Sequence, residues 1–269
     1  MISAISSAFA AGLFLSAAPA GADQVLTDTA TFTFIVGEGT AGVSGKDSLT
    51  AGHGDIGVAY EDGGLHLHYH IGKGATLGGS TVGASDGVER TPESVASVVN
   101  YQLKAGELSP SIRDYFGTSG AGSIYGVPIS PAQGAPNLGF ATEDLDNSIF
   151  TSGQWSLLGA SGTGIDNGGQ FALWTFGPGG ARPLLASAAG VTPGNTFDEP
   201  AIGAHAHYYF GFSGAGVYNL TLRFTGTTNL PDPVTPAVPE PATLVMSGLG
   251  LAGVCFAGLR RKKTITVEA

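Results

Sequence analysis

Residues 65–71 read Leu-His-Leu-His-Tyr-His-Ile. Strict alternation of this kind suits an extended strand, with His66, His68 and His70 on one face and Leu65, Leu67, Tyr69 and Ile71 on the other. The apolar face requires a core beneath it, and the opposite face presents a row of imidazoles. The chain holds six histidines in all. The other three are His53, just upstream, and His205 and His207, again two apart. Confinement of every imidazole to three short windows points to metal binding more readily than to catalysis.

The rest of the sequence agrees with a β-rich chain. Forty-four glycines and 15 prolines among 269 residues predict many short strands joined by turns. With 42% hydrophobic and 12% charged residues, the chain can build a core and is not disordered by charge. The runs 53–60 and 65–71 flank Glu61-Asp62-Gly63-Gly64, which predicts a β-hairpin. That hairpin returns His53 and Asp55 alongside the far end of the histidine strand. Further strands are expected over 31–36, 154–158, 170–176, 182–186 and 216–224. Residues 95–103 fit either a helix or a strand, and 72–94 read as loop. The expected fold is therefore all-β, an antiparallel β-sandwich of jelly-roll or Ig-like type.

Two weaker motifs carry less. Residues 37–42 match G-x-G-x-x-G, but Val43-Ser44-Gly45-Lys46-Asp47 follows with no helical periodicity, so no helix N-terminus is available for a pyrophosphate. Residues 143–147, Glu-Asp-Leu-Asp-Asn, offer calcium-type oxygens within a Gly-, Pro- and Ser-rich stretch, 105–147, without a complete EF-hand loop. A solvated acidic turn is the plainer reading. No H-E-x-x-H motif occurs, and Gly83-Ala84-Ser85-Asp86-Gly87, the one match to G-x-S-x-G, falls in the stretch read as loop rather than at a strand-to-helix elbow, which argues against an enzyme.

Charge and targeting segments set the compartment. Residues 23–240 carry 20 acidic against 7 basic groups, a body that repels nucleic acid and suits cations. The lone Cys255 excludes both an internal disulfide and a thiolate zinc site. Residues 1–22 read as a signal peptide, with an apolar run over 8–18 and the small-residue sequence Ala18-Pro19-Ala20-Gly21-Ala22, although no Lys or Arg precedes the run. A domain over 23–226 is followed by a Pro-rich linker over 227–241. Residues 242–259 are free of charge and, at helical rise, span about 27 Å, enough for one transmembrane helix. The basic tail 260–269 opens Arg260-Arg261-Lys262-Lys263 and is expected to stay cytoplasmic.

The sequence Val238-Pro239-Glu240-Pro241-Ala242-Thr243, the apolar segment and then Arg260-Arg261 closely resemble the PEP-CTERM sorting signal of Gram-negative bacteria. The resemblance implies an exosortase partner that cuts near the Pro-Glu-Pro motif, after transient residence in the cytoplasmic membrane, and delivery to the cell surface or extracellular matrix. Over roughly 25–226 the body resembles the choice-of-anchor M domain, on the segment from His53 to Gly63, Leu65-His66-Leu67-His68, and His205-Ala206-His207 with Phe210 and Gly216-Val217-Tyr218. Relatives in that family are associated with zinc uptake, and a PEP-CTERM subgroup with zinc-repressed regulation. This likeness favours a strand over 95–103.

Neutral imidazole is a good zinc ligand, usually one of four. On a strand at ~3.3 Å per residue, His66 and His70 stand about 13 Å apart, so three consecutive histidines cannot share one ion. The expectation is that His66 and His68 join His205 or His207, with His53 or Asp55 completing or supporting the shell and His70 extending it or binding a second ion. Function then reads as metal capture or buffering, with a zinc-uptake system or extracellular polysaccharide as possible partner. The alternatives are a structural or adhesive matrix protein, or histidines that merely line a solvated, pH-sensitive face.

Overall fold

The computed structural model describes residues 23–117, 123–187 and 195–230. The segment 1–22 read as a signal peptide, the charge-free segment 242–259, the basic tail and the sorting residues Pro239, Glu240, Pro241, Arg260 and Arg261 lie outside them. Among the described residues no helix is long and apolar enough to cross a membrane. In chain order the strands are β1 (Gln24–Val36), β2 (Asp47–Ala51), β3 (His53–Glu61), β4 (Gly64–Ile71), β5 (Thr76–Leu77), β6 (Ser80–Thr81), β7 (Val88–Arg90), β8 (Val95–Val99) and β9 (Tyr125–Val127). They continue as β10 (Asn137–Ala141), β11 (Phe150–Ser161), β12 (Phe171–Gly177), β13 (Gly180–Ala186), β14 (Thr196–Phe197), β15 (His205–His207), β16 (Tyr209–Phe212) and β17 (Gly216–Thr228). Two short helices, α1 (Pro110–Tyr115) and α2 (Thr163–Asp166), complete the secondary structure with one 3-10 turn.

The longest alternating stretches pair with each other. β1 and β17 run antiparallel from Gln24↔Thr228 to Val36↔Gly216, so the ends of the domain lie side by side. β17 alternates buried and half-buried along its whole length, as a strand with one face on a core should. It also runs two residues into the expected Pro-rich linker, because the first residue there that cannot donate to a ladder is Pro231.

Three sheets result. One has the order β14-β11-β17-β1-β8-β2-β5-β6, a second β15-β10-β3-β4-β7, and a third β13-β12-β16-β9. Their apolar faces share one core, joined by Phe32 against Tyr69 at 5.1 Å, Phe140 against Trp155 at 4.9 Å and Phe34 against Phe210 at 5.8 Å between ring centroids. A smaller cluster packs Ile112 and Phe116 against Trp174 and Tyr209. It is seated by α1, whose start is capped by Ser109 accepting the Ile112 amide at 3.3 Å, with Pro110 in the first turn.

The fold is all-β as expected, but not purely antiparallel. β8 pairs parallel with both β1 and β2, and β10 pairs parallel with β3. Parallel neighbours need long crossovers, and the connections that supply them hold β5, β6 and β7, the short strands inside the stretch read as loop. Of residues 95–103, for which the choice-of-anchor resemblance favoured a strand, only 95–99 form one, with Gln102 making an isolated bridge to Tyr125, and the glycine run after β1 is a loop in which the Thr40 hydroxyl donates to the Val36 carbonyl at 2.6 Å.

Candidate metal centre

The β3–β4 hairpin turns through Asp62 and Gly63, with φ of 50° and 81°. Positive φ at both central residues is the type I′ requirement, which Asp-Gly meets at low cost. The turn fixes the register, and register decides which side chains share a face. Asp55 sits opposite His70, Gly57 opposite His68 and Ala59 opposite His66. On the other side of β3, Asn137 of β10 sits beside His53 and Gly139 beside Asp55. β15 then places His207 opposite Gly139 and His205 opposite Ala141. All six histidines and Asp55 therefore lie on one face of the five-stranded sheet, while Leu65, Leu67, Tyr69 and Ile71 pack into the core behind it.

Two strand spacings, about 10 Å, separate β15 from β3. Side chains meet across that distance because β10 offers only small residues there. A Cβ at Gly139 would collide with Asp55 Oδ1 and lie 2.7 Å from the Ala206 carbonyl oxygen. In the space so left, the imidazoles of His53, His205 and His207 face one another edge to face, with centroids 5.1–5.7 Å apart. One nitrogen of each lies within 4.8 Å of the others, and Asp55, Glu143 and His205 form a second such group sharing His205.

The carboxylates complete this cluster. His53 Nε2 stands 2.8 Å from Asp55 Oδ2. That contact raises the pKa of His53, burial opposes the shift, and the charges of Asp55 and Glu143 add to it. The contact is close but poorly aligned, and neither Asp55 oxygen has a hydrogen-bond partner although the residue is 1% exposed. Glu143 Oε1 lies 2.7 Å from His205 Nδ1, an arrangement that orients an imidazole and presents its Nε2 as a ligand. His207 Nδ1 and Asn137 Oδ1 are also buried without partners. Leaving such a group unsatisfied costs about 1–3 kcal/mol, and more for a charge. Three imidazoles and a carboxylate are a donor set that fits zinc or a neighbouring divalent ion, which would satisfy these atoms.

His53, rather than His66 or His68, joins His205 and His207, because β3 and β10 intervene between β4 and β15. His68 instead lies with Glu89 and Asp144, and among the described residues no such group includes His66 or His70. His66 is exposed; His70 is half-buried opposite Asp55 and Glu89. The acidic run at 143–147 is divided by the fold. Glu143 reaches His205, Asp144 reaches His68, Leu145 enters the core, and Asp146 accepts from the Ser148 side chain and from its amide at 2.7 Å, which together lower its pKa. The run's acidity was visible in the sequence, whereas Glu89, on a three-residue strand, gave no signal.

Comparison with known proteins bears on the address of the chain. Residues 237–262 match the PEP-CTERM protein-sorting motif. No curated protein matches the chain, and neither does any solved structure. The motif implies export in a bacterium, processing by an exosortase at the membrane and sorting to the cell surface.

Proposed function

We propose that this exosortase-sorted protein binds a divalent metal, zinc foremost, at His53, His205, His207 and Asp55, and serves in metal capture or buffering outside the cell. The observation that carries this reading is the buried Asp55 carboxylate, in close contact with His53 but with no aligned hydrogen bond to either oxygen, held among three converging imidazoles. The likeness of the same segments to choice-of-anchor M domains supports it, and suggests a Gram-negative source and a zinc-uptake system as partner. In this reading the protein is not an enzyme, and the histidines serve as metal ligands rather than in catalysis. The domain is read as a β-sandwich, supported by the ring contacts that join the sheets across the core.

One observation favours a competing structural role in an extracellular polysaccharide matrix: a carboxylate as buried as Asp55 suits a metal needed for folding. Against it, the His53 and His205 side chains are 40% and 39% exposed, which suits exchange with solvent. Zinc titration of the chelator-treated protein, with thermal unfolding at each point, tests both. Exchangeable zinc that the apo protein binds without refolding supports capture; an apo protein that is unfolded supports the structural role. Absence of zinc binding, or affinity unchanged in His53→Ala and His207→Ala, overturns the metal centre itself.

A further inference from the structure

We infer that the same sheet face carries a second, separate divalent-cation site towards β7, with His68, Glu89 and Asp144 as ligands. One ligand atom from each lies within 4.8 Å of the others. The His68 side chain is only 9% exposed, and its Nε2 is buried with no hydrogen-bond partner. Nδ1 lies 3.4 Å from the His66 carbonyl oxygen, so an N–H at Nδ1 leaves Nε2 with its lone pair towards the carboxylates. Asp144 Oδ2 is 3.6 Å from that nitrogen. The ring is seated over Gly57, where a Cβ would come within 2.7 Å of Nε2. An aligned carboxylate would hydrogen-bond His68; here two carboxylates converge on a nitrogen that has no hydrogen bond, as ligands of a common ion do.

Access and charge agree with a cation. A cleft of about 450 Å³ reaches His68 and Glu89, and its walls carry Asp28, Glu61 and Glu93 against the single basic residue Arg90. One imidazole and two carboxylates make a harder donor set than three imidazoles and one carboxylate, so this site takes manganese or iron(II) as well as zinc, and zinc less tightly than the first. The sites share no ligand. Their link is the turn carrying Glu143 and Asp144, which the Thr142 hydroxyl ties to the carbonyls of Ala201 and Ala204 at 2.7 and 3.1 Å.

Equilibrium dialysis of the full chain against buffered zinc tests the site independently of the first. Wild type is expected to bind two zinc ions of unequal affinity. Glu89→Gln and Asp144→Asn, both at exposed positions, should each weaken the lower-affinity ion at least tenfold and leave the tighter one unchanged. The double variant His53→Ala/His207→Ala should retain the weaker ion. If Glu89→Gln and Asp144→Asn leave every bound zinc unaffected, or if wild type binds none, the second site is wrong. A single zinc lost in those variants but kept in the double variant would uphold this site and sink the first.

Discussion

The two ends of the histidine face use the same parts in opposite ways. Towards β15 the carboxylate is buried and the imidazoles are partly exposed, with Asp55 at 1% and His53 at 40%. Towards β7 the imidazole is buried and the carboxylate exposed, with His68 at 9% and Asp144 at 45%. A neutral imidazole enters a low-dielectric region at modest cost, but an ionised carboxylate does so only if its charge is met. The β15 end is therefore strained without a cation and strongly relieved by one, whereas the β7 end tolerates either state. The strain is affordable because the other face of β4 buries Leu65, Leu67, Tyr69 and Ile71, each contributing roughly 1.5–3 kcal/mol.

The largest expected effect separates the ends by ligand-linked stability. Zinc at a thousand times its dissociation constant should stabilise wild type by about 4 kcal/mol. In His207→Ala the share due to the tighter ion should be lost, leaving only the smaller gain from the site towards β7, while Glu89→Gln should keep most of it. Chemical denaturation with and without zinc reads both. Equal losses in the two variants would erase the distinction between the ends.

Next in size is the apo protein. Asp55→Asn removes a charge that is buried without full compensation, so in the presence of chelator it should be more stable than wild type by about 1–3 kcal/mol, and its response to zinc should fall to that of the site towards β7 alone. Asp144→Asn should change apo stability by less than about 0.5 kcal/mol, as exposed substitutions do. If Asp55→Asn destabilises the apo protein, the strain assigned to the β15 end is wrong.

The contrast also shows what could be read in advance. Period-two alternation at 65–71 and the Asp62-Gly63 turn suffice to place His66, His68, His70, His53 and Asp55 on one face, since both act between neighbours in the chain. Which histidines meet depends on β10, and β10 is silent: Asn137–Ala141 is buried at every position, so it shows no alternation, and it comes from a stretch that reads as irregular. Its parallel register with β3 spans some eighty residues of chain and leaves no local trace. Nor does composition reveal that Gly139 and Gly57 are the cradles, because they are two of 44 glycines.

A smaller effect isolates the support of one ligand. Glu143 holds His205 through Nδ1, so Glu143→Gln should weaken zinc at the β15 end by about tenfold, near 1.4 kcal/mol. The site towards β7 should be unchanged, although Asp144 is the next residue. Weakening at both ends would mean that the turn acts as one body and that the two sites are coupled through it.

The smallest effect is the pH dependence, and its sign distinguishes the apo and metal-bound states. In the apo protein the contact with Asp55 raises the pKa of His53 above its unfolded value near 6.5. The folded state then holds the proton more tightly, so this contribution is fully present below the unfolded value and is lost as pH rises through the folded one. With the His53 side chain 40% exposed, solvent screening keeps it below about 1 kcal/mol. Zinc reverses the slope, because every ligating imidazole must be neutral and protons compete for it. As pH rises above about 6.5 the apo protein should lose a little stability while the zinc gain grows. His53→Gln should flatten the apo trend by removing the only titrating partner that Asp55 contacts closely among the described residues. Unfolding temperatures that rise in parallel with pH in both states would show that His53 pairs with Asp55 too weakly to matter, and would leave the unmet charge of Asp55 as the sole distinction between the two ends.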